Sequence, residues 1–104
     1  MKRISSTYRD ALTTGTHDLI RLGAKFQKGI TIIEVRTQQT TATAERVNVT
    51  VDGQEKHSVG LVDQLTTYTI NEDYGPGTDV LIQAVITGQR SDDVFVSVMF
   101  DDHE

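Results

Sequence analysis

Apolar and polar residues alternate along several short stretches of this chain. Val47, Val49 and Val51 are separated by Asn48 and Thr50. Because successive side chains of a β-strand point to opposite faces, this pattern predicts a strand with one buried and one wet face. Comparable patterns predict further strands at 18–22, 30–35, 66–70, 80–87 and 94–100.

Three of the stretches also indicate where each strand lies in a sheet. The runs 30–35 and 80–87 are apolar on both faces, which is typical of central strands covered from both sides. The stretch 54–59 is polar enough to be an edge strand.

Turn residues separate the predicted strands. Asp52-Gly53 supplies the positive φ angles that a two-residue hairpin requires. The segment 74–79 holds the single proline between two glycines and predicts a turn, and Gly88 with the following QRSDD predicts another hairpin link. Roughly six to eight short strands joined in this way are typical of sandwiches and barrels. The sequence therefore predicts an all-β fold, a small antiparallel β-sandwich (Ig-like or jelly-roll-like) or a barrel, and no motif assigns it to a family.

The N-terminal segment follows a different spacing. Ile4, Tyr8, Ala11 and Leu12 fall on one face of a helix, and Gly15 could end that helix. We therefore predict a short N-terminal helix or an ordered arm over residues 1–15, followed by a single β-sandwich domain over 16–104. The alternative is a frayed tail.

Charge is divided unevenly between the two halves of the 104-residue chain, whose net charge is −5. Residues 1–52 hold eight Lys and Arg against five acidic residues, and residues 53–104 hold two against ten. The halves could interleave in space, or a basic side could meet the acidic side of another copy. The acidic total and the scattered basic residues argue against nucleic-acid binding.

Composition indicates the setting of the protein. There is no cysteine, which suits a reducing compartment. We find neither a secretory signal nor an apolar run of about 20 residues, so we expect a cytoplasmic protein without a membrane partner.

The sequence offers no grouping of catalytic side chains. His17, His57 and His103 are widely separated, and no Ser or Thr stands beside an evident base. We therefore predict no enzyme activity, no catalytic or metal-binding residues, and no cofactor.

Two acidic segments have alternative interpretations. Asn71, Asp73 and Asp79 could supply oxygen ligands to calcium, although turn chemistry explains the same residues. The aspartates around the run 94–100 could form a cation site, or they could protect an aggregation-prone strand.

The stretch RTQQTTATAER, residues 36–46, is too polar for a core and too rich in β-formers for a free coil. We predict a β-ribbon arm extending beyond the core, or a loop ordered by contact with another subunit, against the alternative of a mobile hairpin loop. With the N-terminal segment it gives a candidate interface formed by Arg3, Tyr8, Arg9, Arg36, Gln38, Gln39, Thr40, Thr41, Thr43 and Arg46.

These observations favour a structural assembly protein that packs as repeated copies or binds a larger protein lattice such as a capsid. A bacteriophage virion component (decoration, head-completion or tail accessory protein), assembled in the host cytoplasm, fits them. The alternative is a small carbohydrate- or ligand-binding β-module that uses Tyr68, Tyr74 and the 71–79 loop.

Overall fold

A computed structural model describes residues 1–41, 43–88 and 91–104 of the chain. These residues form eight β-strands, and no helix occurs among them. The strands are β1 (Lys2–Leu12), β2 (Gly15–Gly23), β3 (Ile30–Gln39), β4 (Glu45–Val51), β5 (Gln54–Leu61), β6 (Thr66–Tyr74), β7 (Val80–Ile86) and β8 (Asp92–Asp102).

The strands form two antiparallel four-stranded sheets that pack as a sandwich. The first sheet has the order β1-β8-β3-β6 and the second the order β2-β7-β4-β5. Alternate apolar residues of the inner strands meet between the sheets, and the buried set includes Ile30, Ile32, Val35, Val47, Val49, Ile82, Ala84, Val94, Val96 and Val98. The predicted all-β sandwich is confirmed.

The predicted short N-terminal helix is wrong, because residues 2–12 form strand β1. This strand pairs with β8, with Lys2 opposite Asp101 and Arg9 opposite Val94. Ile4 and Tyr8 are four residues apart, and an even spacing places two side chains on one strand face as readily as on one helix face. The helical spacing is therefore ambiguous.

Predicted strand positions and the first turn agree with the structure. β3 and β7 are inner strands, and β5 is an edge strand. β4 and β5 form a hairpin through Asp52 and Gly53, whose φ angles are 51° and 82°. The second predicted hairpin link is wrong, because β7 and β8 belong to different sheets. Two residues of that link, Gln89 and Arg90, lie outside the described part of the chain.

The 36–46 stretch is not a ribbon arm. β3 and β4 lie in different sheets, so the segment between them crosses from one sheet to the other. Its Ala42 is outside the described residues. Both ends of the crossing are held inside the subunit, by the buried side chains of Gln39 and Glu45.

The uneven charge of the two halves is partly balanced within the subunit. The basic strand β1 lies beside the acidic ends of β8, where Arg3 Nε donates to Asp102 Oδ2. Arg21 of the first half also pairs with Asp79 of the second, at 2.8 Å. The two halves therefore interleave in space, and part of their charge is paired within the subunit.

In the part of the chain that the structure describes, no helix is long and apolar enough to cross a membrane.

Candidate interaction surface

The outer face of the first sheet presents apolar side chains to solvent. Ile4 and Tyr8 of β1 are 64% and 60% exposed. They lie beside the half-buried side chains of Met99 and Phe95 on β8, which are their register partners. We call the surface formed by these four residues, together with Ser6, Ser97, Glu34, Arg36 and Gln38, the outer face.

Strand β1 has an inverted pattern relative to the core. Arg3, Ser5, Thr7 and Arg9 point to the inner side of the sheet, opposite the buried residues of β8. None of these four is buried. A strand on the surface of a monomer normally places apolar residues inward and polar residues outward. The apolar side chains of β1 therefore lie on the outer side of the sheet, where none of the described residues covers them.

The middle of the outer face is polar and carries both signs of charge. Arg36 Nη2 lies 3.2 Å from Glu34 Oε1 on the same strand. Beside them, Ser6 Oγ donates to Ser97 Oγ at 3.1 Å. Both ionic side chains remain accessible to solvent, so the pair contributes little to the stability of the monomer.

One end of the outer face opens into a groove of about 180 Å³. It is lined by Tyr8, Gln38, Gln39, Thr40, Asp93 and Phe95. Asp93 fixes the local backbone, because its Oδ1 accepts a hydrogen bond from Ala11 N at 2.9 Å and its N–H donates to Thr40 Oγ1 at 3.2 Å. Desolvation and the nearby carboxylates of Asp93 and Asp10 raise the pKa of Tyr8, so its hydroxyl keeps its proton. The groove combines two aromatic rings with amide, hydroxyl and carboxylate groups.

The structure brings together about half of the predicted interface residues. Tyr8, Gln38, Gln39 and Thr40 line the groove and Arg36 lies on the outer face. Gln39 is only 2% exposed and its side chain is directed inward to Leu61 O and Thr43 O, so it offers little surface to a partner. Elsewhere Arg3 contacts Asp102, Arg9 Nη2 donates to Asp18 O, Arg46 lies on the second sheet beside Ser58, and Thr41 and Thr43 belong to the crossing segment.

Sequence reasoning included Tyr8 in the interface but missed the other apolar members of this surface, Ile4, Phe95 and Met99. The helical spacing assigns Ile4 to a helix face, and the alternation over 94–100 places Phe95 and Met99 on the opposite side of a strand without a role. Period-two spacing in residues 4–8 was the available signal. Their assembly into one surface depends on the pairing of β1 with β8, which the sequence pattern does not reveal.

A larger cleft of about 290 Å³ lies at the opposite end of β1, lined by Arg3, Lys25, Phe26, Phe100, Asp102 and Glu104. The Phe26 and Phe100 rings meet edge to face with their centroids 5.7 Å apart. The hydrogen bond from Arg3 lowers the pKa of Asp102, which stays ionised. Arg3 and Asp102 thus neutralise each other within this cleft.

The two tyrosines of the alternative ligand site contact residues of the neighbouring edge strand β5. The Tyr74 hydroxyl lies 3.2 Å from His57 Nε2, which also contacts Glu72 Oε2 at 2.8 Å. Desolvation and the Glu72 carboxylate raise the pKa of Tyr74 to about 12. Tyr68 reaches over Gly60, where an added Cβ would lie 2.6 Å from the Tyr68 hydroxyl. These two half-buried tyrosines link the edges of the two sheets.

The acidic segment 71–79, which begins within β6, distributes its carboxylates among different partners. Asp73 Oδ1 accepts a hydrogen bond from Thr31 Oγ1, and Asp79 pairs with Arg21. Within the described residues, no three His, Cys, Asp or Glu side chains are placed together to hold a metal ion.

Comparisons with known proteins identify a fold. No family model matches the chain, and no curated protein matches it. Solved structures do match. The CBM36-1 domain of a multidomain xylanase from the hindgut metagenome of Trinervitermes trinervoides superposes with a TM-score of 0.69 at 16% identity, covering 100% of this chain and 99% of that one.

Two other similar structures come from assemblies. A chain of the disulfide-linked pili formed by Bacillus endospore appendages gives a TM-score of 0.60 at 9% identity, with 100% of this chain and 88% of that chain covered. A chain from the capsid of Helicobacter pylori bacteriophage KHP30 gives 0.53 at 16% identity, with 96% and 92% covered. At these identities the likeness shows a shared jelly-roll sandwich fold, and it does not show a shared activity.

Proposed function

We propose that this protein is a non-enzymatic structural component of a repeating assembly, in the setting of a bacteriophage virion as a capsid decoration, head-completion or tail accessory protein. Its partners are copies of itself and the lattice on which they are placed. The fold is shared with chains of a phage capsid and of bacterial pili, so this sandwich is compatible with such a role.

The observation that carries the proposal is the inverted pattern of β1. Ile4 and Tyr8 point away from the core and extend the apolar surface of Phe95 and Met99 across two strands. The Ile4–Met99 and Tyr8–Phe95 pairs form two exposed apolar patches on either side of the polar middle, and exposed apolar patches rimmed by polar residues mark interaction sites. Burying it against a second protein removes that surface from water, which stabilises the complex.

The charges at the centre of the outer face indicate a second copy of the same chain as the occupant. A two-fold interface brings the same patch of both subunits together. Arg36 and Glu34 lie side by side, so in such an interface the guanidinium of each copy can meet the carboxylate of the other. Two copies of an outer face that carried charges of only one sign would repel each other.

We expect a double variant with Ile4→Lys and Tyr8→Lys to weaken self-association by tenfold or more, equivalent to about 1.4 kcal/mol. Two added ammonium groups must lose their hydration when the face is buried, which costs free energy. Sedimentation velocity over a range of concentrations measures the association. Because both positions are exposed, unfolding should change by no more than about 0.5 kcal/mol.

Leu65→Lys is the matched control, since Leu65 is 56% exposed but lies in the segment between β5 and β6. It should associate as the unmodified protein does. Equal weakening by the control, or a strictly monomeric unmodified protein that binds no lattice, contradicts the proposal.

The groove at the end of the outer face favours a second candidate function, binding of a carbohydrate. Exposed aromatic rings pack against the apolar faces of sugars, and amide and carboxylate groups bond to hydroxyls. Tyr8 and Phe95 supply rings, and Gln38 and Asp93 supply the polar groups. The volume of about 180 Å³ fits a small saccharide unit better than a long chain.

We expect the Gln38→Ala variant to lose glycan binding on an array while keeping its self-association, because Gln38 lines the groove and is not one of the apolar side chains of the outer face. Tyr74→Ala serves as the control, since Tyr74 belongs to the link between the sheet edges. If the unmodified protein binds no glycan on the array, the carbohydrate-binding function is contradicted.

A further inference from the structure

Strand β1 buries almost no apolar side chain against the rest of the subunit. Leu12 is its single buried residue, and the ten residues before it are exposed or half-exposed. The inner positions of β8 and β3 in the same sheet, by contrast, are occupied by buried residues. Backbone pairing with β8, and not the packing of buried apolar side chains, therefore holds β1 in the first sheet.

The contacts of Ile4 and Tyr8 with β8 lie on the exposed outer face, and the side-chain hydrogen bonds of β1 are few. Arg3 bonds to Asp102, Ser6 to Ser97, and Arg9 to the carbonyl of Asp18. Hydrogen bonds of this sort can be replaced by water during a transient opening. Buried apolar side chains would oppose the same opening much more strongly.

The departure of β1 would expose the edge of β8. If β1 leaves, β8 becomes an edge strand with the run VFVSVMF and a row of unpaired backbone groups. Such an edge recruits another extended chain. The sequence of β1 already matches this edge in register, so the β1 of another copy fits it as well as the original does.

The connection after β1 has the features of a hinge. The register with β8 shifts between Arg9 and Leu12, and Ala11 adopts a φ of 52°, a conformation that favours glycine. Only Thr13 and Thr14 separate β1 from β2, which belongs to the other sheet. Thr14 Oγ1 donates to Gly88 O and anchors the far side of the turn. Rotation at residues 11–13 frees β1 and relieves the strained backbone, and short strained hinges favour strand exchange.

We propose that β1 is exchanged between copies of this protein, so that the β1 of one subunit completes the first sheet of another. This inference rests on the proposed assembly function and specifies how the subunits are linked. The occupant of the β8 edge is β1 of a second copy, in the register seen within the subunit.

Cysteine pairing tests the exchange, because the chain has no cysteine of its own. Ser5 and Val98 are register partners, and Val98 is fully buried. Only a strand in the β1 position can therefore reach residue 98, whereas packing of two outer faces cannot. Opposed residues of antiparallel strands are close enough to form a disulfide.

The Ser5→Cys/Val98→Cys variant is incubated at high concentration in a glutathione redox buffer, denatured and run on a non-reducing gel. Exchange predicts a covalent product at twice the subunit mass of 11.5 kDa or above, lost on reduction. A mixture of isotopically heavy and light subunits then gives disulfide-linked peptides in which the two introduced cysteines come from different chains. If this pair does not oxidise, Thr7→Cys with Val96→Cys, the next partners on that face, gives the same readout.

A Val47→Cys/Val59→Cys variant is the matched control, because β4 and β5 are paired through a two-residue turn and cannot separate in this way. It should give only monomers. Interchain product in the control as well overturns the inference. Intrachain product alone from a protein that associates overturns the exchange but leaves the proposed function standing. Intrachain product from a protein that stays monomeric and binds no lattice overturns both.

Discussion

Replacing Gln39 with alanine lowers the free energy of unfolding by about 3 kcal/mol, as we expect from two lost hydrogen bonds and a new cavity. Gln39 is 2% exposed, and its Nε2 donates to Leu61 O at 2.7 Å and to Thr43 O at 2.6 Å. The first bond ties β3 to the end of β5, and the second holds the crossing segment. Both carbonyls lose their donor when the amide is removed.

The adjacent glutamine provides the control, since Gln38 points to the outer face and is exposed. Gln38→Ala should change stability by no more than about 0.5 kcal/mol. Chemical denaturation of both variants measures the difference. Similar stabilities for the two alanine variants would show that contacts outside the subunit, and not the buried amide, order this segment.

We expect Glu45→Ala to lower the free energy of unfolding by about 3–4 kcal/mol, because the substitution removes a buried carboxylate and the hydrogen bonds that it accepts. Glu45 is 4% exposed. Its Oε2 accepts bonds from Thr87 N and Thr87 Oγ1, both at 2.9 Å, and its Oε1 accepts one from Gly88 N at 3.2 Å. The side chain therefore joins the start of β4 to the end of β7.

Glu45→Gln keeps the shape but replaces one acceptor with a donor, so we expect an intermediate loss of about 1–2 kcal/mol. Glu55→Ala, at an exposed position of β5, is the control and should have almost no effect. The thermal unfolding temperatures of the three variants give the order of their stabilities. If Glu45→Ala unfolds at the same temperature as Glu55→Ala, the buried carboxylate has no stabilising role.

The parts of the fold that depend on neighbouring residues could be predicted from the sequence. The alternation of Val47, Val49 and Val51 and the turn at Asp52-Gly53 are local signals, and both correspond to the observed hairpin. The sheet to which each strand belongs is decided by contacts far along the chain. For that reason the local pattern at 36–46 predicts a ribbon where the chain instead crosses between the sheets.

The candidate site was harder to predict for the same reason. Tyr8, Gln38 and Asp93 come from three strands that are distant in sequence, and only the order β1-β8-β3 brings them together. Gln39 and Glu45 occupy inward positions that a binary pattern reserves for apolar residues. A buried polar residue with its partners satisfied leaves no signature in the pattern, so these two anchors could be found only from the structure.

The pairing of the first strand with the last affects how each subunit is made. β8 is an inner strand that separates β1 from β3, so the first sheet cannot form until β8 has been synthesised. The nascent chain can complete the β4–β5 hairpin early, whereas β1 stays unpaired until β8 follows. Folding dominated by such distant pairings is slow. Nascent chains therefore spend time with β1 unpaired, at a stage when copies made on the same message are close to one another.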